Sequence, residues 1–303
     1  MSPLIQYQTI NLKNKALGTI EKANEIIAEY AAQGFDLTLR QLFYQFVARG
    51  LIANTQREYK NLGTVINDGR LAGLVDWESI VDRTRNLRAL AHWRTPQDIV
   101  SACARQFRHD LWDDQPNYAE VWIEKDALVG VIEGVCHELD VPHFSCRGYT
   151  SQSEMWVAAQ RIIERSEGRE GNAVILHLGD HDPSGMDMTR DIEDRMAVFG
   201  CEVEIRRLAL NTDQVRQYNP PPNPAKITDS RARGYIARHG RESWELDALD
   251  PNVITGLIRS ELESLIDDDL WQAGMTKQAA ARDRLAGVAN KWDRVIKAIE
   301  DVA

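Results

Sequence analysis

The sequence predicts a multi-domain α/β protein. A mostly helical, winged-helix-like unit over 1–112 is followed by an α/β unit over 113–303 with a central, largely parallel sheet. Three observations carry this reading. Apolar residues recur at helical spacing through 16–72. Beyond Asn117, short runs of branched and aromatic residues alternate with amphipathic stretches, the pattern of strands joined by crossover helices. A length of 303 residues suits about two domains.

Residues 16–33 place Leu17, Ile20, Ala23, Ile26, Ile27 and Tyr30 on one helical face, and Gly34 ends the run. Asp36 is positioned to cap the next helix. In it Leu39, Leu42, Phe43, Phe46 and Val47 form one apolar face before Gly50. A third amphipathic helix is expected over about 57–72, through Tyr59, Leu62, Val65, Ile66 and Leu71. Helix, short turn and a further basic helix are compatible with a helix-turn-helix or winged-helix module. The α/β unit then reads as strand 119–123, helix 126–139, strand 142–146, helix 151–166, strand 173–178, helix 185–199 and strand 202–208. At 218–224 the run YNPPPNP excludes a helix or central strand and leaves a stiff extended loop. From about 252 an amphipathic helical stretch is expected to serve core or dimer packing.

Composition limits the function classes. No apolar run approaches the ~18 residues of a membrane span, and the N-terminus lacks the basic-then-apolar pattern of a signal peptide. A cytoplasmic, nucleoid-associated protein is expected. Cys103, Cys136, Cys146 and Cys201 form no CxxC pair and no zinc spacing, so buried reduced thiols are expected. The net charge of −10 argues by itself against nucleic-acid binding. The charge is uneven, however: 37–110 holds eleven Lys/Arg against seven acids, so this segment is +4 and the remainder −14. A basic module beside an acidic, metal-holding one produces such a split.

The chemistry concentrates where two strands end in carboxylates. The strand at 119–123 runs into Glu124, and that at 173–178 runs into Gly179-Asp180-His181-Asp182-Pro183-Ser184-Gly185. Residues i and i+2 of an extended segment point the same way, so Asp180 and Asp182 can face one point, while His181 points to the opposite face. Ser184 or the backbone amides near Gly185 can start the following helix. Clustered carboxylates resist burial unless a cation is present. An all-oxygen set without sulfur favours Mg²⁺, with Mn²⁺ as the alternative. An ion of this kind suits displacement at phosphorus.

The segments VWIEKDAL and HLGDHDPSGMDM resemble the two motifs of the Toprim domain. They are most similar to the version in the topoisomerase VI A subunit and its relative, the transesterase that makes meiotic double-strand breaks. The resemblance implies that Glu124, Asp180 and Asp182 hold Mg²⁺. Arg147-Gly148-Tyr149 resembles a glycine turn between those motifs, with Thr150 where the family has proline. The family's second signature is an arginine followed, after two residues, by paired tyrosines on a winged-helix domain. Arg40-Gln41-Leu42-Phe43-Tyr44 has that spacing, with Phe43 in place of the first tyrosine and Tyr44 at the nucleophile's position.

The residues support this independently. Arg40 and Tyr44 are i and i+4, neighbours on a helix surface. A phenol with a pKa near 10 is a weak nucleophile at neutral pH, and a guanidinium beside it stabilises developing negative charge. The resemblance implies cleavage of double-stranded DNA through a 5′-phosphotyrosine link, and a homodimer in which tyrosine and metal come from different protomers. No GxxxxGK[ST] loop is present, so ATP-driven strand passage requires a separate B-type ATPase subunit. Two further readings stay open: a Toprim nuclease using metal-activated water with Tyr44 structural, and a DNA-binding protein with a degenerate site. Trp244-Glu245-Leu246-Asp247-Ala248-Leu249 resembles a Glu-x-Glu-Ala-Leu element late in the same family. Asp247 is expected as a helix-start cap, with support of the metal site as the alternative. Lys226, Arg231, Arg233, Arg238 and Arg241 either track phosphates or form a solvated basic face.

Overall fold

The computed structural model describes residues 4–81, 90–225 and 228–301. Asp82, Arg83, Arg85, Arg88 and Lys226, counted among the charges above, lie outside them. The N-terminal part is three helices, α1 (Asn14–Ala31), α2 (Leu39–Ala48) and α3 (Gln56–Leu71). They pack through Ile20, Ile26, Tyr30, Leu42, Phe43, Phe46, Leu62 and Ile66. Among the described residues its only β pairing is an isolated parallel bridge between Leu37 and Ile80. The cap of α2 is Thr38 rather than Asp36. The Thr38 hydroxyl accepts from Gln41 N and the Gln41 side chain accepts from Thr38 N, so two orphan amides are satisfied reciprocally. The next helix, α4 (Pro96–Gln106), was not expected from periodicity. Its start is nevertheless written in the chain: Thr95 caps it, Pro96 follows, and Asp98 closes a second capping box.

The α/β unit holds strands β1 (Tyr118–Ile123), β2 (His143–Ser145), β3 (Ala173–Leu178) and β4 (Glu204–Ala209). They form one sheet in the order β2-β1-β3-β4, with every pairing parallel. The expected mixed α/β class with a central parallel sheet is thus observed. The connections are α5 (Val129–Glu138), α6 (Gln152–Ser166) and α7 (Pro183–Val198). The two faces of β1 divide by the period of two. Ala119, Val121 and Ile123 enter one core with Ile132 and Val135 of α5; Tyr118 and Trp122 enter another with Met155 and Ile162 of α6 and Met188 and Ile192 of α7. Both faces are covered, which is why β1 and β3 are buried along their whole length.

After β4 come α8 (Thr212–Tyr218) and the proline run. The run contributes only the two-residue β5 (Asn223–Pro224), paired antiparallel with β6 (Glu242–Ser243) across α9 (Ala232–His239). The C-terminal stretch divides into α10 (Pro251–Leu265), α11 (Asp268–Asn290) and α12 (Trp292–Glu300). The first break is held by Gln115, whose side chain donates to Asp267 O (3.1 Å) and accepts from Asp267 N (2.7 Å). Helix α10 packs against α5, and α4 packs against α11. No helix among the described residues is long and apolar enough to cross a membrane. Cys136, Cys146 and Cys201 are buried as expected, whereas Cys103 is exposed, on the outer side of α4.

Candidate active site

From β1 the chain moves to β2 on one side and then to β3 on the other, so the order reverses between β1 and β3. Ligands in parallel sheets collect at such switch points, outside the strands' carboxyl ends. Glu124 and Asp180 follow those two ends. The strands are in register at Ile123 and Leu178, and Glu124 N donates to Leu178 O at 2.8 Å. Glu124 Oε2 accepts from Asp180 N at 2.9 Å, so two residues 56 apart in sequence touch.

Two glycines make this approach possible. A Cβ on Gly179 would stand 3.0 Å from Glu124 Oε2, and one on Gly185 would stand 2.3 Å from Asp180 O. Asp182 is the N-cap of α7: its Oδ1 accepts from Gly185 N at 2.7 Å, a role the sequence reading had given to Ser184 or the local amides. His181 faces away, as expected. It is 1% exposed, with Nδ1 2.7 Å from Tyr235 Oη and Nε2 3.1 Å from Thr212 Oγ1. Burial lowers its pKa to about 4. The Arg147-Gly148-Tyr149 turn lies beside the same strand end, with Gly148 N 3.4 Å from Glu124 O.

Four further groups complete the cluster: Lys125, Glu245, Asp247 and Arg207. Support of the metal site was the alternative to a helix cap for Asp247, while Lys125 and Arg207 had no expected place in it. Lys125 Nζ stands 3.0 Å from Asp180 Oδ2, 2.9 Å from Glu245 Oε2 and 2.8 Å from Asp247 Oδ1. Asp247 is 3% exposed and caps no helix by a side-chain hydrogen bond. Its Oδ2 pairs with Arg40 Nε at 3.0 Å instead. Arg207, on β4, donates to the carbonyls of Gly179 and Asp180 (3.1 and 2.6 Å), to Gly185 O and to Thr189 Oγ1. The signal for Arg207 is faint: of two consecutive arginines in a strand, one must face inward.

The helix bearing Arg40 and Tyr44 docks on this cluster within the same chain. Arg40 pairs with Glu245 as well as Asp247, and its guanidinium lies 5.9 Å from the Tyr44 ring centroid. The seam is closed further by Asn54, which donates to Pro222 O and Asn223 Oδ1, and by Tyr30 Oη, which donates to Asp250 Oδ2 at 2.7 Å. Tyr44 is 3% exposed. Burial, then Glu245, raises its pKa to about 12, against the pull of Arg40.

The electrostatics follow from burial. Desolvation, then repulsion by Asp182, raises the Glu124 pKa, although the Asp180 amide and Lys125 oppose this. Desolvation likewise raises Asp180, with Glu124 and Asp247 adding repulsion against Lys125. Burial works against the Lys125 ammonium, but Asp180, Asp247 and Glu245 outweigh it and raise its pKa. Burial lowers Arg207 to about 10.

Among the described residues no three His, Cys, Asp or Glu side chains are pre-arranged as a metal cage. The donor chemistry nevertheless fits a hard divalent cation, since Glu124, Asp180 and Asp182 present only oxygen. Glu124, Asp180, Asp182, Glu245 and Asp247 face Lys125, Arg40 and Arg207. With all ionised, two negative charges are left uncompensated, the charge of one such ion.

Several basic residues counted toward a nucleic-acid face are engaged within the protein. Arg49 pairs with Glu29, Arg70 donates to Trp77 O and Ile80 O, and Arg231 pairs with Asp229 and Asp187. Comparison with known proteins finds no matching family model, no matching characterised protein and no matching solved structure.

Proposed function

We propose that this chain is a topoisomerase VI A-like DNA transesterase, in which Glu124, Asp180 and Asp182 hold Mg²⁺ and Tyr44 attacks the DNA backbone. The observation that carries the reading is a convergence. Arg40 and Tyr44 lie some eighty positions before Glu124, yet their helix is ion-paired to the residues that surround Asp180. Such an ion would supply charge stabilisation to the phosphate oxygens. Arg40 offers a guanidinium beside the phenol, suited to both the phenolate and the phosphate. The Tyr44 oxygen forms the bond to phosphorus and loses its proton, while the bond from phosphorus to the 3′ oxygen breaks and that oxygen gains a proton.

The same proposal includes a separate ATPase subunit for strand passage and a homodimer; the resemblance implies that tyrosine and metal then come from different protomers, whereas here the Tyr44 helix docks on the acid cluster of its own chain. One observation favours a second reading: Tyr44 is nearly inaccessible and its pKa is raised, which suits a Toprim nuclease using activated water. Incubation with supercoiled DNA and Mg²⁺, followed by denaturation, separates the two. The transesterase gives covalent protein–DNA adducts that Tyr44→Phe abolishes. Cleavage that persists in Tyr44→Phe and is lost in Asp180→Ala replaces it with the nuclease. Binding without cleavage in the presence of any ATPase partner leaves only a DNA-binding role.

A further inference from the structure

The Lys125 ammonium is surrounded by one oxygen from each of Asp180, Glu245 and Asp247, at 3.0, 2.9 and 2.8 Å. Glu245 Oε2 accepts a hydrogen bond from the ammonium, and Asp180 and Asp247 are held to it by charge. Asp180 is the shared member of two groups. On one side its backbone N–H meets Glu124 and its loop leads into Asp182; on the other its Oδ2 meets Lys125. Its other oxygen, Oδ1, accepts from Leu246 N at 2.8 Å. Two-metal phosphoryl-transfer sites gather carboxylates round two cation positions ~3.5–4 Å apart. Here one of those positions is filled by a side chain of the protein itself. The backbone of β1 delivers it, because Lys125 directly follows Glu124 at the strand's end.

We propose that Lys125 is a tethered substitute for a second divalent ion, so that the site accepts one ion where a two-metal enzyme accepts two. This rests on the metal-site reading above and adds a stoichiometry to it. The charge count agrees: with Lys125, Arg40 and Arg207 in place the five carboxylates retain two negative charges, and without Lys125 they retain three. Lys125 also reaches the Arg40 side of the cluster, since Glu245 and Asp247 pair with both cations. A fixed ammonium therefore holds the Tyr44-bearing helix against the acid cluster before any divalent ion binds. Lys125 acts through the carboxylates it orders and is a positioning residue.

The test counts Mn²⁺ ions on the full chain, by calorimetry and by electron paramagnetic resonance, independently of cleavage. Wild type should bind one ion per chain and give the signal of an isolated Mn²⁺. Lys125→Gln should bind two, with the spectrum of a spin-coupled pair, and Lys125→Arg should keep one. A wild type that binds two, or a Lys125→Gln that still binds one, overturns the tethered-cation inference and leaves the metal site standing. A wild type that binds none overturns the metal site itself and this inference with it. Circular dichroism covers the case in which Lys125→Gln is unfolded without ions. Recovery of the fold on adding Mn²⁺ supports the substitution of ion for ammonium, and an unfolded chain at every Mn²⁺ concentration overturns it.

Discussion

Glu120→Leu tests how β1 is held in the position that presents Glu124. Glu120 is 1% exposed on the same face of the strand as Trp122. Its Oε1 accepts from Tyr118 Oη and Arg161 Nε, both at 2.8 Å, and its Oε2 accepts from Trp122 Nε1 at 2.8 Å and Arg161 Nη2 at 2.9 Å. Leucine fills the space but leaves the Tyr118 hydroxyl and the Trp122 indole N–H buried without an acceptor. Each orphaned donor costs about 1–3 kcal/mol. The Arg161 side chain is 39% exposed, so it rehydrates and adds little. The extra apolar burial returns roughly 1–2 kcal/mol, and the net loss should be about 2–4 kcal/mol. Glu120→Gln, which keeps one acceptor oxygen, should lose about half as much. Urea unfolding followed by both tryptophan fluorescence and circular dichroism measures this, with coincident transitions as the condition for a single free energy. A Glu120→Leu midpoint equivalent to less than ~0.5 kcal/mol of change, within the ordinary scatter of surface substitutions, would refute the reasoning.

Three further outcomes are expected. His177 is fully buried, and desolvation, then Arg207, lowers its pKa from 6.5 to about 3. Its neutral form is therefore favoured by folding, and the contribution is complete above pH 6.5 and lost as pH falls toward 3, at about 1.4 kcal/mol per unit; urea midpoints of wild type and His177→Gln should converge on acidification, and parallel curves would contradict this. Arg207→Met removes the donor to Asp180 O and should destabilise by about 1–3 kcal/mol, part of the loss being offset by the burial the guanidinium endures; thermal melts check it. Asp180→Asn removes a carboxylate that Glu124 and Asp247 repel, so the ion-free variant should melt at or above wild type, and it should lack the Mn²⁺-dependent rise in melting temperature expected of wild type.

The elements with strong period were legible in the chain, and their failures have local causes. The strand at 173–178 matches β3 residue for residue because six buried positions between turn signals admit little else. Helix α4 escaped notice because it buries only Ala102 and Ala104, so its apolar stripe is thin and only its capping residues announce it. Asp36 and Thr38 are both capping types, and the choice fell to Thr38 because only it has glutamine three residues on to close the box. The break between α10 and α11 does have a local mark, Asp267 capping α11, and it is held as well by Gln115, which is distant in the chain.

The candidate site divides in the same way. Glu124, Asp180 and Asp182 were readable because each closes or follows a strand, and strand ends in a parallel sheet are placed by backbone pairing that local sequence already specifies. Gly185 carries the same information, since a Cβ there would meet Asp180 O at 2.3 Å, and Gly179 stands tight against Glu124 Oε2. Lys125 and Arg207 could not be assigned from their surroundings in the chain, and for Asp247, in the element it shares with Glu245, the chain left a helix cap and support of the site both open. Their roles are Coulombic and act through space, between residues as far apart as Arg40 and Asp247. Only the folded chain brings those charges to about 3 Å in a buried setting, where a charge must find its partner. Local sequence thus determined which strand ends carry carboxylates, and tertiary packing decided which cations meet them and that the Tyr44 helix closes over them.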